Sequence, residues 1–270
     1  MITATTRDHA AHLTNLDDIF DLEATYVEWV TTETQDDRRG VFHPSAVGGC
    51  ARRGVYEYIG TPRVQMNTEK DLEVFRMGHS VHGIVQGILA DLGRVLTPRG
   101  IKYSFREEVS FDPLMDTLFL DLGIGGTTDG ILEMECLADG WAQRAVVEIK
   151  SSKGKLFDAI RGPKPDHEMQ ANLYAFRYDC PVIYYWYYNK DNSDRKVFKR
   201  AASDKALEMA LERFTAQRMH ADSGTLPDRE ESFYMCPRCE YGHVCQPDSL
   251  QRIHAQHKIT TLQKKGFGRK

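Results

Sequence analysis

The spacing of apolar and polar positions predicts a chain that mixes helices with strands. Between Leu16 and Thr32 the apolar residues Ile19, Phe20, Leu22, Tyr26, Trp29 and Val30 fall at helical intervals. A polar run from Thr31 to Gly40 predicts a loop. Pro44 and Ser45 suit the start of a helix that runs through Tyr56 and Tyr58. Residues 69–92 carry a helical stripe of Leu72, Phe75, Val81, Val85, Ile88 and Leu89. Ile101 to Phe111 and Thr117 to Asp121 alternate and predict strands. Further strands are predicted over Asp129 to Glu135, Val146 to Lys150, Pro181 to Tyr188 and Arg195 to Arg200. The polar turn Ala138-Asp139-Gly140 joins the first two of these. Helices are expected over His167 to Tyr178 and Ala202 to Met219. The stretch 153–166 reads as a loop, basic and broken by Gly and Pro, and residues 1–14 as a loose tail. The expected class is α/β, a mixed sheet with helices on both sides.

Composition narrows the choices. A chain of 270 residues suffices for one large domain, or for one domain with an appended module. The net charge of −4 excludes a uniformly basic nucleic-acid binder, so any DNA contact must use local patches. Lys153, Lys155, Arg161 and Lys164 form one such patch, equally readable as a solvated loop. The residues after Asp248 (Arg252, Lys258, Lys264, Lys265, Arg269, Lys270) carry no acid and form a basic tail, either DNA-seeking or solubilising. No apolar run is long enough to cross a membrane, and the first residues lack a basic then apolar leader, so a cytoplasmic protein is expected. Six cysteines in such a chain favour reduced thiols or metal ligation over disulfides. No G-x₄-G-K-[ST] loop is present, so a motor, if needed, would be a partner.

The chemistry concentrates on Val146-Val147-Glu148-Ile149-Lys150. Strand alternation points Glu148 and Lys150 to one side. The bland alternative is a charged pair on a solvated strand face. Asp129 opens a second strand after the Gly-rich bend Gly125-Gly126. Two carboxylates on neighbouring strands suit a hard divalent cation, and a lysine beside them suits charge that develops on a phosphate. His82 would join them only if its helix packs beside those strands. Gln170 and Tyr174 are four apart and share a helical face. Cys236, Cys239 and Cys245 form C-x₂-C-x₅-C, three thiols with ligand spacing. The fourth ligand is either His243, for zinc, or Cys50, for an iron–sulfur cluster. Cys50 stands beside Arg52 and Arg53, which would face an anion or lower a thiol pKa. Cys136 and Cys180 read as core thiols. The aromatic run Tyr184 to Tyr188 can stack bases or fill a core, and at least half of its rings are expected in the core.

Taken in order, Gly78-x₃-His82, Asp129-Gly130, Glu148-Ile149-Lys150 and Gln170-x₃-Tyr174 resemble the RecB-type branch of the PD-(D/E)XK nucleases. One cysteine before that core and C-x₂-C-x₅-C after it resemble its iron–sulfur variant, which includes Cas4-type exonucleases and the nuclease domain of AddB. The resemblance covers roughly residues 43–247. It departs at Thr128, where the family often has Pro before the first Asp. The resemblance implies a restriction-endonuclease-like core with a helical, cysteine-bearing cap. It implies that His82, Asp129, Glu148 and the Ile149 carbonyl hold Mg²⁺ or Mn²⁺, and that Lys150 is the catalytic lysine. Gln170 and Tyr174 would position the DNA backbone and the site. Cys50, Cys236, Cys239 and Cys245 would hold a structural [4Fe–4S] cluster. Arg52, Arg53, Lys153 and Lys155 would contact DNA. The expected regions are 1–68 with Cys50, the nuclease core 69–225, the cysteine segment 226–250 and the basic tail 251–270.

The function expected on these grounds is a metal-dependent DNA exonuclease, acting on single strands or DNA ends. Recombination, repair, phage replication and CRISPR adaptation remain open as its setting. A helicase, a recombinase or annealing protein, or CRISPR adaptation proteins would be its partners. The alternatives are a catalytically weak DNA-binding assembly module and a zinc-based structural protein.

Overall fold

Five strands hydrogen-bond side by side in the order in which the chain makes them. They are β1 (Ile101–Ser110), β2 (Thr127–Cys136), β3 (Trp141–Ser152), β4 (Val182–Asn189) and β5 (Arg195–Ala201). All neighbouring pairs are antiparallel except β3 and β4, which run parallel. The computed structural model describes residues 21–31, 39–64, 68–111 and 117–245. The expected N-terminal tail and the basic tail after Asp248 lie outside the described residues.

The helices are α1 (Leu22–Thr31), α2 (Ala51–Tyr58), α3 (Glu69–Asp91), α4 (Gly93–Leu96), α5 (Thr117–Leu122), α6 (Gly154–Asp158), α7 (Pro165–Arg177), α8 (Asp204–Ser223) and α9 (Gly242–Cys245). The α/β expectation holds. A parallel strand pair needs a crossover, and α6 with α7 provides it between β3 and β4. Three expectations fail. The helix expected from Pro44 begins only at Ala51, after a separate 3₁₀ turn at Pro44–Ala46. Thr117 to Asp121 is helical because Phe119 and Leu122, three apart, pack into one apolar cluster with Phe42 and Ile124. The stretch 153–166 contains α6, anchored by buried Phe157, with Ile160 buried just beyond it.

The chain divides into two units, Met1–Asp36 with Asn67–Met77, and Asp37–Met66 with Gly78–Lys270. In the first, the Arg76 guanidinium lies 3.6 Å from the centroid of the Trp29 ring. The second holds the sheet. Alternation along β3 sends Val146 to a core shared with Ala171, Ala175, Ile183 and Tyr185, on the α7 side. Val147 and Ile149 go to the other face, against Val81, Val85 and Leu89 of α3. Each such fully buried Val or Ile contributes roughly 1.5–3 kcal/mol. Both faces of β4 are covered. Tyr185 and Tyr187 enter the first core, and Tyr184, Trp186 and Tyr188 pack against the second. Tyr185 and Tyr187 are fully buried, and Tyr184, Trp186 and Tyr188 are half-buried.

A third cluster joins Met169 and Leu173 of α7 to Ala210 and Phe214 of α8. Ser203 caps α8 through its hydroxyl, which accepts from the Ala206 N–H at 3.3 Å. Gly224 closes α8 in the left-handed region at φ 66°, as a C-terminal glycine does. Among the described residues no helix is long and apolar enough to cross a membrane.

Candidate active site

Two charged residues leave the core side of β3 where the sheet meets α7. Glu148 is 1% exposed, which rules out a solvated charged pair. Lys150 forms an ion pair with Glu148 Oε1 and donates from Nζ to Gln170 Oε1 at 3.1 Å. Apart from that ion pair, neither Glu148 oxygen has a hydrogen-bond partner. Burial pushes the Glu148 carboxyl up to about 7, against the opposing pull of Lys150. A carboxylate this deep in a core is expensive unless a cation meets it, and Lys150 is the cation that does so.

Asp129 lies one step beyond the Gly130–Val147 register pair, next to Glu148 across β2 and β3. Its Oδ2 accepts the Ile149 N–H at 2.6 Å, and its Oδ1 lies 3.1 Å from His82 Nδ1. Burial lowers the His82 imidazole, and Asp129 more than reverses this, so the net shift is upward. Gly130 has a physical reason to follow Asp129: a Cβ there would stand 2.3 Å from the Phe105 ring. Thr128, at the position where the family often has Pro, is a fully buried strand residue paired with Val109.

Gln170 and Tyr174 do share a face of α7. Tyr174 is buried and stacks on Phe111, with ring centroids 5.5 Å apart. Burial raises its phenol well above the usual range, and the nearby charges of Glu148 and Asp129 raise it further. His82, Asp129, Glu148, Lys150, Gln170 and Tyr174 therefore converge. Lys153 and Lys155 are exposed at the end of β3, on the chain that leads away from Lys150.

Glu108 and Gln86 were not anticipated. Glu108 lies on β1 opposite Asp129, between the pairs Glu107–Gly130 and Val109–Thr128. Ligand atoms of His82, Glu108 and Asp129 all lie within 4.8 Å of one another. Gln86 is 5% exposed and donates from Nε2 to Glu108 Oε1 at 2.6 Å and to the Asp129 carbonyl at 3.0 Å. Gln86 is one helical turn past His82, and that spacing was the available signal. Nothing in the sequence marks Glu108, one acid in a run of charged residues. Its backbone is left-handed, at φ 48°.

The donors present fit a hard divalent cation: ligand atoms of His82, Glu108 and Asp129 lie within 4.8 Å of one another, and Glu148 stands on the strand beside Asp129.

The cysteine segment docks on α2. Arg52 donates to the Pro227 carbonyl from Nε at 2.9 Å and from Nη2 at 2.6 Å, and its Nη1 lies 4.0 Å from Cys245 Sγ. Arg53 pairs with Glu57 at 3.1 Å and with Glu240 at 3.7 Å. Both arginines thus have internal partners where DNA contacts were expected. Tyr56 stacks on Tyr241 at 5.4 Å, and the Val64 N–H donates to the Glu240 carbonyl at 3.0 Å. Cys50, Cys236, Cys239 and Cys245 are free and half-buried. Burial raises the Cys239 thiol, and the nearby Cys50 and Cys245 raise it further. Among the described residues no three of these thiols lie within 4.8 Å of one another. His243 Nδ1 is buried without a hydrogen-bond partner. Cys136 and Cys180 are buried core thiols.

No protein-family model matches the chain, and no curated protein matches it. Solved structures do. SSO0001 aligns at TM-score 0.46 and 13% identity, over 83% of this chain and 93% of that one. The alkaline exonuclease LHK-Exo from Laribacter hongkongensis aligns at TM-score 0.46 and 13% identity, over 69% of this chain and 90% of its own. The same exonuclease in complex with dAMP gives 0.45 and 14% over the same shares. Likenesses this distant do not bear on activity.

Proposed function

We propose that the protein is a divalent-metal-dependent DNA exonuclease that hydrolyses phosphodiester bonds of single strands or DNA ends. The observation that carries this is Glu148, 1% exposed beside Asp129 and met only by the Lys150 ammonium. Asp129, Glu148, His82 and the Ile149 carbonyl would hold Mg²⁺ or Mn²⁺, and a cation bound there would supply polarisation of the scissile phosphate and a water of lowered pKa. Lys150, aimed by Gln170, stabilises the negative charge that develops on the phosphate. Tyr174 closes the α7 side of the site and excludes water from Glu148. Lys153 and Lys155 receive the phosphates next to the scissile one.

In the same reading, Cys50, Cys236, Cys239 and Cys245 hold a structural [4Fe–4S] cluster. Support comes from the docking of the cysteine segment on α2. Zinc on Cys236, Cys239, His243 and Cys245 is the second reading, favoured by the unpartnered His243 Nδ1. Zinc-loaded protein would be colourless, and brown protein with visible charge-transfer absorption would exclude zinc as the sole metal.

The test is cleavage of end-labelled linear and covalently circular single-stranded DNA, with anaerobically purified protein and Mn²⁺. Linear DNA alone should be degraded, and Glu148→Ala should abolish this. Cutting of circles would make it an endonuclease. No cleavage by fully metal-loaded protein would overturn the enzyme and leave a DNA-binding module.

A further inference from the structure

The face of α7 that carries Gln170 and Tyr174 begins one turn earlier, at His167. Facing it on the sheet is Tyr187 of β4, the register partner of Lys150. The His167 and Tyr187 ring centroids are 5.6 Å apart, so the imidazole stands beside Lys150 on the β4 side, away from Asp129 on β2. We propose that His167 is a further substrate-binding residue: the Tyr187 hydroxyl holds it as the neutral Nε2–H tautomer, and Nε2–H donates to a backbone phosphate oxygen of the DNA strand beside Lys150.

The tautomer follows from counting donors. Tyr187 is 1% exposed. Its oxygen accepts the Lys164 backbone N–H at 3.1 Å and lies 2.8 Å from His167 Nδ1. A phenol has one proton to place, and among the described residues Nδ1 is the acceptor it meets. A buried hydroxyl without an acceptor is costly. Nδ1 therefore accepts, and the ring proton sits on Nε2. An imidazolium would donate from both nitrogens and orphan the phenol proton. Burial, then the Lys150 ammonium, push the imidazole the same way, down to about 4; Asp166 opposes this and Lys164 adds to it. Nε2 itself has no hydrogen bond among the described residues. The half-exposed Asp166 carboxylate, with Oδ2 at 3.8 Å, is too distant for one. A neutral donor here bonds an anionic oxygen without setting a second positive charge against Lys150.

The phosphate contact rests on the nuclease reading above, and the tautomer does not, so two measurements separate them. Long-range proton–nitrogen NMR of the full chain labelled at histidine reads the ring directly, with the His167 signal assigned by its loss in His167→Gln. His167 should stay an Nε2–H imidazole between about pH 5 and 8, and Tyr187→Phe should mix its tautomers. An Nδ1–H ring or an imidazolium at neutral pH would overturn the lock. The second measurement is anisotropy of a labelled single-stranded oligonucleotide with Ca²⁺ as the oxygen-binding ion. His167→Leu should weaken binding about tenfold to a hundredfold. His167→Gln, whose amide N–H reaches the Nε2 place, should recover most of this. His167→Asn, whose amide reaches only the Nδ1 place, should not, whereas a purely structural histidine would be replaced better by Asn. Unchanged far-ultraviolet circular dichroism verifies the fold of each variant. Wild-type affinity in His167→Leu would overturn the phosphate contact and leave the nuclease reading standing. No binding by wild type would overturn both.

Discussion

The carboxylate site and the cysteine segment are both candidate metal centres, and they are built in opposite ways. The first is set by sheet register. Asp129 and Glu148 occupy adjacent rungs, Ile149 fixes Asp129 through a 2.6 Å hydrogen bond, and Gln170 fixes Lys150. Its groups are together before any cation arrives. The second is set by contacts between distant parts of the chain, Arg52 to Pro227 and Tyr56 to Tyr241, and its thiols stay half-buried and separate. A preformed site spends stability on holding charge. A site closed by its metal gains stability when the metal binds. The two regions should therefore respond differently to loss of a ligand.

The largest contrast comes from single ligands. Glu148→Gln should reduce cleavage at least about a thousandfold, because a ligand and a charge are both lost. Its metal-free melting temperature should change little, because a desolvated carboxylate is removed while Lys150 loses its ion-pair partner. A steep fall in melting temperature would show that Glu148 is structural.

Acid should separate the regions next. The Glu148 pKa is raised from 4.5 to about 7, so the folded metal-free protein binds more protons than the unfolded one between those values. Its contribution to stability therefore falls as pH rises through that window. Cation binding displaces the Glu148 proton and the proton of His82, whose pKa is raised. Mn²⁺ affinity should climb between about tenfold and a hundredfold per pH unit from pH 5 to 7, then flatten. Calorimetry across pH measures it, and a flat profile would mean that neither group binds the ion.

Cys50→Ser should strip visible absorption from the protein and lower its melting temperature by about 10 °C, since the bond that closes the longest loop is lost. Retained metal with unchanged melting would favour zinc on the C-terminal residues alone. The smallest effect belongs to the surface. Lys153→Ala with Lys155→Ala should weaken DNA binding about tenfold and flatten its salt dependence by about two phosphate contacts.

Much of this was readable in the chain. The β-branched run at Val146 and Val147, with Glu148 and Lys150 alternating into it, fixed β3 and the side its charges take. Gln170 and Tyr174 at helical spacing gave the face of α7 that meets them. His82 was conditional on packing and packs as required, 3.1 Å from Asp129. Other features depend on tertiary context. Thr117 to Asp121 alternates like a strand, yet a helix buries Phe119 and Leu122 together. Glu108 stands in a charged run, and only its register opposite Asp129 gives it meaning. Arg52 and Arg53 read as free cations until the segment around Pro227 and Glu240, far along the chain, claims them.

The claim that matters most is that Asp129 and Glu148 together hold a divalent cation. The direct test is a crystal of the wild-type protein grown near pH 7.5 with Mn²⁺, with anomalous scattering recorded at the manganese edge. The account predicts an anomalous peak bridging Asp129 and Glu148, with the Ile149 carbonyl among its ligands. A manganese-free site with the Glu148–Lys150 pair intact at millimolar Mn²⁺ would contradict it.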